Sequence, residues 1–150
     1  MRKQWILVAN GSLARFFSRT GAGDPLVPLE TFDFPEGRLK GIELERDRQG
    51  HERSDNSTAA AHFEPHTSPR KKLMHQFARE LAERLEKGLV DGEYDTLWLT
   101  ASSPFLGELR AALHPGVAAR IRWTHDADLT GLDVSAIETR LRDLPEVRLR

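Results

Sequence analysis

The chain has no cysteine among its 150 residues. That removes disulfides, thiolate nucleophiles, zinc ribbons and cysteine-ligated iron–sulfur clusters. Neither sign of charge dominates: 22 Lys and Arg stand against 23 Asp and Glu, a formal net charge of −1. A broad phosphate-binding face, and DNA binding with it, is therefore not expected. Long hydrophobic runs are also missing. After Arg2 and Lys3, only Trp5 to Ala9 are apolar before polar Asn10. That is too short for a signal-peptide core or a membrane span, so the expectation is a cytoplasmic protein with no membrane partner. No G-x-x-x-x-G-K-[ST] or G-x-G-x-x-G phosphate cradle occurs, and no serine sits in G-x-S-x-G. No cofactor, bound metal or catalytic residue is expected on these grounds.

What is present fits one α/β domain spanning residues 1–150, with 39% hydrophobic residues to build its core. Trp5-Ile6-Leu7-Val8-Ala9 is apolar on both faces, the pattern of a central strand. Asn10-Gly11 readily takes positive φ and predicts a hairpin into a second strand over 13–19. The Gly21–Pro25 break leads to a third strand over 26–34, where Pro28 marks a sheet edge. Ser68-Pro69 supplies a capping hydroxyl and a first-turn proline for a long helix. Leu73, Phe77, Leu81 and Leu85 recur every four residues along it, and Gly88 or Gly92 ends it. Glu80–Arg84 and Glu83–Lys87 have the spacing of surface ion pairs. A strand over 94–100, a second cap-and-proline helix start at Ser102-Ser103-Pro104, a strand over 121–124 and a helix capped by Asp133 follow. The last helix presents Ile137, Leu141 and Leu144. Because strand–helix–strand units cross over right-handed, this succession predicts a three-layer structure: a five-stranded mixed sheet, order 3-2-1-4-5, with helices on its faces.

That order is shared with ribonuclease-H-like nucleases, which hold divalent cations on carboxylates of the first and fourth strands. Here Gln4–Ala9 and Thr100–Ser103 contain no Asp or Glu, so metal-dependent nuclease chemistry is not expected. Residues 35–67 carry few large apolar side chains and many alternating charges. Such a stretch reads as a long polar, mobile loop and as the place where a partner binds. Four of the six histidines, His51, His62, His66 and His75, lie in or just after it. His62-Phe63-Glu64-Pro65-His66 could bring two imidazoles and a carboxylate together as a metal-dependent hydrolase would require, although Pro65 prevents helical pairing of the two imidazoles. As a contact surface for a protein, a ribosome or another RNA, the candidates are Arg53, His62, Glu64, His66 and Arg70.

WILVANGSLARFF at 5–17, HFEPHTSP at 62–69, FARELAERLEKG at 77–88, ASSPFLGELR at 101–110 and DADLT at 126–130 resemble the bacterial host attachment family. The resemblance covers essentially the whole chain and is most specific over Ala101–Arg110. It implies a role in bacterial attachment to host cells, a phenotype more easily served indirectly by a cytoplasmic binding module than by direct contact with a host. The family is also distantly similar to the middle domain of archaeal and eukaryotic peptide-chain release factors. There a Gly-Gly-Gln loop precedes the long helix. Here the matching stretch holds only Gln49-Gly50, without the paired glycines that let backbone approach an ester. The resemblance therefore implies at most a ribosome- or tRNA-associated protein lacking that motif. The expected function is a non-enzymatic binding module acting through residues 36–67.

Overall fold

The computed structural model of the chain describes residues 3–38 and 68–143. Five strands form one sheet: β1 (Gln4–Ala9), β2 (Leu13–Arg19), β3 (Val27–Asp33), β4 (Thr96–Ala101) and β5 (Ile121–His125), in the order β3-β2-β1-β4-β5. β1 runs antiparallel to β2 and parallel to β4, and β4 runs parallel to β5. The helices are α1 (Pro35–Arg38), α2 (Pro69–Val90), α3 (Phe105–Ala112), α4 (Pro115–Ala118) and α5 (Val134–Asp143). The predicted order and fold class hold. The turn at 35–38 lies inside the stretch read as loop; residues 39–67 lie outside the described residues.

Strand alternation separates two cores. Trp5, Leu7 and Ala9 of β1 face the helical layer of α2, α3 and α4, meeting Phe77, Leu81, Leu85, Phe105, Leu109 and Val117. Ile6 and Val8 face the other way, toward Trp123, Leu129, Ile137 and Leu141 of the β5–α5 region. Residues 5–9 are all buried because β1 lies between two strands and two layers. Pro28 lies at the edge as predicted, opposite Phe17 where the β2–β3 register shifts at a bulge. A residue without an N–H is tolerated at such a position.

The ends of α2 follow their chemistry. Ser68 Oγ accepts from Lys71 N at 3.1 Å. At the far end Gly92 takes φ 72°. Its N–H reaches Leu89 O at 3.1 Å and Glu93 N reaches Gly88 O at 2.8 Å, a Schellman closure. Gly92 therefore ends the helix, and Gly88 has a different task. A Cβ there would lie 2.7 Å from Trp5 Cη2 and 3.1 Å from Tyr94 Cε1, in a wall where both rings are buried. Tyr94 is fixed in turn, its hydroxyl donating to Leu85 O at 2.6 Å. Gly88→Ala should destabilise the protein by about 1–2 kcal/mol in chemical denaturation, since overpacking exceeds the gain in helix propensity. Gly107 of α3 has nothing within 4 Å of its missing Cβ, so Gly107→Ala should leave stability unchanged or raise it by up to ~1 kcal/mol. Equal effects at the two sites would contradict this packing.

Arg84 does not pair with Glu80. Its guanidinium lies 5.0 Å over Trp5 and binds Glu30 at 2.9 Å and Glu93 at 3.1 Å. Lys87 pairs with Asp91 at 2.6 Å. The half-buried position of Arg84 next to β3 gives it tertiary partners that outcompete the helical neighbour.

Candidate functional site

The carboxyl ends of β1 and β4 form the point where the chain departs in opposite directions, toward β2 on one side and β5 on the other. Crevices at such points are the usual ligand positions in open α/β sheets. A cleft of about 190 Å³ lies here, lined by Asn10, Ser12, Arg70, Ser102 and Ser103 among others. Cavities of about 780 Å³ lie elsewhere, one between β3 and the start of β1 and one along α3 and α4. The small cleft is singled out by the groups it gathers rather than by size.

Its floor is the β1–β2 turn. Gly11 does not take the positive φ expected of Asn-Gly; the positive-φ glycines among the described residues are Gly23 and Gly92. The Asn10 side chain shapes the turn instead. Asn10 Oδ1 accepts from Ser12 N at 2.8 Å and Leu13 N at 2.9 Å, an Asx-type closure. Its Nδ2 donates to Asp128 Oδ2 at 2.9 Å and Thr130 Oγ1 at 3.1 Å. The β5–α5 loop is thus tied to the end of β1. Arg15 donates to Thr130 O at 3.0 Å, and Thr100 Oγ1 reaches Ala127 O at 3.3 Å, closing the same clasp from β2 and β4.

The β4–α3 turn departs from the sequence reading. Neither serine caps α3, whose N-cap residue is Pro104, following a cis Ser103–Pro104 bond. Ser103 instead donates its N–H to Asp126 Oδ1 at 2.9 Å and its hydroxyl to Asp126 Oδ2 at 2.6 Å. These bonds hold the Asp126 carboxyl below its ordinary pKa. For Asp128, burial pushes upward, but bonds from Thr130 Oγ1, Asn10 Nδ2 and Thr130 N outweigh it and the pKa is lowered. Both carboxylates are ionised anchors for the turns.

The remaining wall comes from α1 and the start of α2. Gly37 packs so closely on the turn that a Cβ would lie 2.2 Å from Gly11 O. Phe34 N donates to Ser12 O at 2.8 Å. Across the cleft, Arg70 is exposed in the first turn of α2. Glu108 of α3 sits 3.7 Å from Lys71 and 3.4 Å from His75, bracing α2 against α3. Gly37 of α1 and Arg70 of α2 therefore line one and the same cleft.

Of the residues singled out from sequence, the structure places Arg70 in the cleft. Arg53, His62, Glu64 and His66 lie outside the described residues, as does Leu144. His75 contacts Glu108 and joins no metal-binding cluster; among the described residues no three His, Asp or Glu side chains could hold a metal ion together. No helix among them is long and apolar enough to cross a membrane. The clasp residues Asn10, Asp126 and Asp128 were not foreseen. The available hint was DADLT, a short polar run with Asp at two positions before Thr130, the composition of Asx-type turns.

Residues 5–141 match the family described as "Protein required for attachment to host cells". No curated protein matches the chain. Among solved structures, an "Archaeal protein" is similar over 93% of this chain and 36% of its own, at 10% identity and a TM-score of 0.46. A "PilM-PilN type IV pilus biogenesis complex" is similar over 97% of this chain and 42% of its own, at 16% identity and a TM-score of 0.38. The chain thus spans well under half the length of either structure.

Proposed function

The chain belongs to the family of proteins required for attachment to host cells, and on that premise we propose that it is a non-enzymatic binding module that promotes attachment indirectly. Its contact surface is the carboxyl-end cleft together with residues 39–67, and its partner is a protein or an RNA. The observation that carries this reading is the fixed position of the described residues on either side of that segment. Gly37 is locked against the Gly11–Ser12 turn on one side, and Ser68 caps α2 beside Arg70 on the other. The family match, over residues 5–141, runs through the whole segment. Arg70, Lys71 and Lys72 crowd the amino terminus of α2, where the helix dipole adds to their positive charge. Backbone phosphates or acidic side chains of a partner are the complementary groups. Arg53, His62, Glu64 and His66 are the proposed contacts contributed by the segment.

A pull-down from native lysate, with identification of both RNA and protein, tests the proposal. Removal of residues 40–60 should abolish recovery of the partner while leaving the thermal transition near that of the parent. Arg70→Glu should lower recovery about tenfold, the equivalent of about 1.4 kcal/mol. Undiminished recovery by the folded deletion variant would overturn the proposal. Co-sedimentation of the parent with ribosomes would identify the partner as the ribosome.

A further inference from the structure

At the opposite end of the sheet, Arg19 ends β2 and is only 8% exposed as a residue. Its Nε donates to Gln4 Oε1 at 2.6 Å. Its guanidinium lies 4.6 Å over the Trp98 ring, which places it on the sheet face covered by α5. Trp98 continues into Trp123 at 4.8 Å, so a cation and two indoles run in a row across that face. Nη2 of Arg19 is buried and has no hydrogen-bond acceptor among the described residues. A ring face attracts the charge but supplies no oxygen. Burial pushes the Arg19 pKa below its ordinary value, with Asp24 and Glu138 pulling the other way.

A cavity of about 350 Å³ opens beside this group, lined by Arg19, Asp24, Trp98, Trp123, Glu138 and Arg142 among others. Small-molecule sites have this size and makeup: aromatic walls with a few convergent polar groups. The two carboxylates already have donors. Asp24 accepts from Thr20 Oγ1, and Glu138 accepts from Leu26 N at 2.7 Å. The unmet demand in the cavity is for an acceptor at Arg19, with Arg142 as a second cation on the wall.

We infer that the Arg19–Trp98–Trp123 cavity is a binding site for a small planar carboxylate, its oxygens taking guanidinium N–H groups of Arg19, whose Nη2 has no acceptor among the described residues, and its ring lying along the indoles. The site is separate from the carboxyl-end cleft, so it stands or falls independently of the attachment reading. Trp5 packs on the other face, so two of the three tryptophans line the cavity and report on its occupancy.

The test titrates the full chain with benzoate and 2-naphthoate, following tryptophan emission and calorimetric heat, with benzyl alcohol and inorganic phosphate as controls. Saturable binding of the two aromatic carboxylates, at least tenfold tighter than either control, is expected. Arg19→Gln should weaken it by tenfold or more. Trp98→Leu, which keeps the guanidinium, should weaken it as well and serves if Arg19→Gln does not fold. The inference is overturned if neither carboxylate saturates, if phosphate or benzyl alcohol binds as tightly, or if the folded variants bind like the parent.

Discussion

Phe77→Ala should cost about 3–5 kcal/mol in equilibrium denaturation, a large share of the ~5–15 kcal/mol that holds a typical domain together. Phe77 is 1% exposed. Its ring stacks 4.9 Å from Phe34 at an interplanar angle of 6° and 5.6 Å from Phe105 at 30°. Truncation removes the ring's transfer free energy and leaves a void between aromatic faces that cannot close without moving three helices. Those helices are α1, α2 and α3, the walls of the cleft. Phe34 precedes α1 and Phe105 opens α3, so this stack ties α2 to both of the other elements around the cleft. With ~2–4 °C per kcal/mol for a chain of this size, the thermal transition should fall by roughly 10 °C. A loss below ~1 kcal/mol would mean that the stack is not what fixes α2 to the body.

Asn10→Ala should cost about 2–3 kcal/mol, because both ends of the amide hold other elements. Oδ1 holds the β1–β2 turn through Ser12 and Leu13, while Nδ2 holds the β5–α5 loop through Asp128 and Thr130. The loss should also depend on pH. The Asp128 pKa is depressed in the folded protein, so its contribution is complete above the unfolded value and disappears as pH falls through the lower folded one. Removing Nδ2 takes away one of the bonds responsible and moves that pKa back toward its ordinary 3.8. The gap between parent and variant should therefore be widest near neutrality and narrow below pH ~4. A gap that stayed constant with acidification would separate Asn10 from Asp128.

Sequence pattern anticipates those parts of the fold that depend on local periodicity and backbone restriction. The unbroken apolar run of β1 requires burial on both faces, which only a central strand provides. Pro28 lacks an N–H and so belongs at an edge. The four-residue recurrence from Leu73 to Leu85 requires a helix with one buried face. Asp133 caps α5 as read, accepting from Ala136 N at 2.8 Å. Where polar side chains choose among distant partners, pattern is silent. Asn10 reaches 118 residues along the chain to Asp128. Ser103 bonds Asp126 rather than capping α3. Arg84 prefers Glu30 and Glu93 to the neighbour one turn away, and Arg19 crosses β1 to lie over Trp98. The Asn10, Ser103 and Arg19 contacts exist only once the sheet has brought separated segments together. The cleft and the Arg19 cavity are made of such contacts, which is why the body of the molecule was legible and its sites were only partly so.

The family relationship concerns attachment, and the geometry gathers Gly37 and the exposed cations at the start of α2 around one cleft at the end of the sheet. The most direct measurement is an attachment assay in a strain lacking the protein, complemented with the parent, with the chain shortened by residues 40–60, and with Arg70→Glu. The parent should restore attachment. The shortened chain, present at parental levels and folded, should fail to restore it, and Arg70→Glu should restore it only in part. Full restoration by the shortened chain would contradict the account.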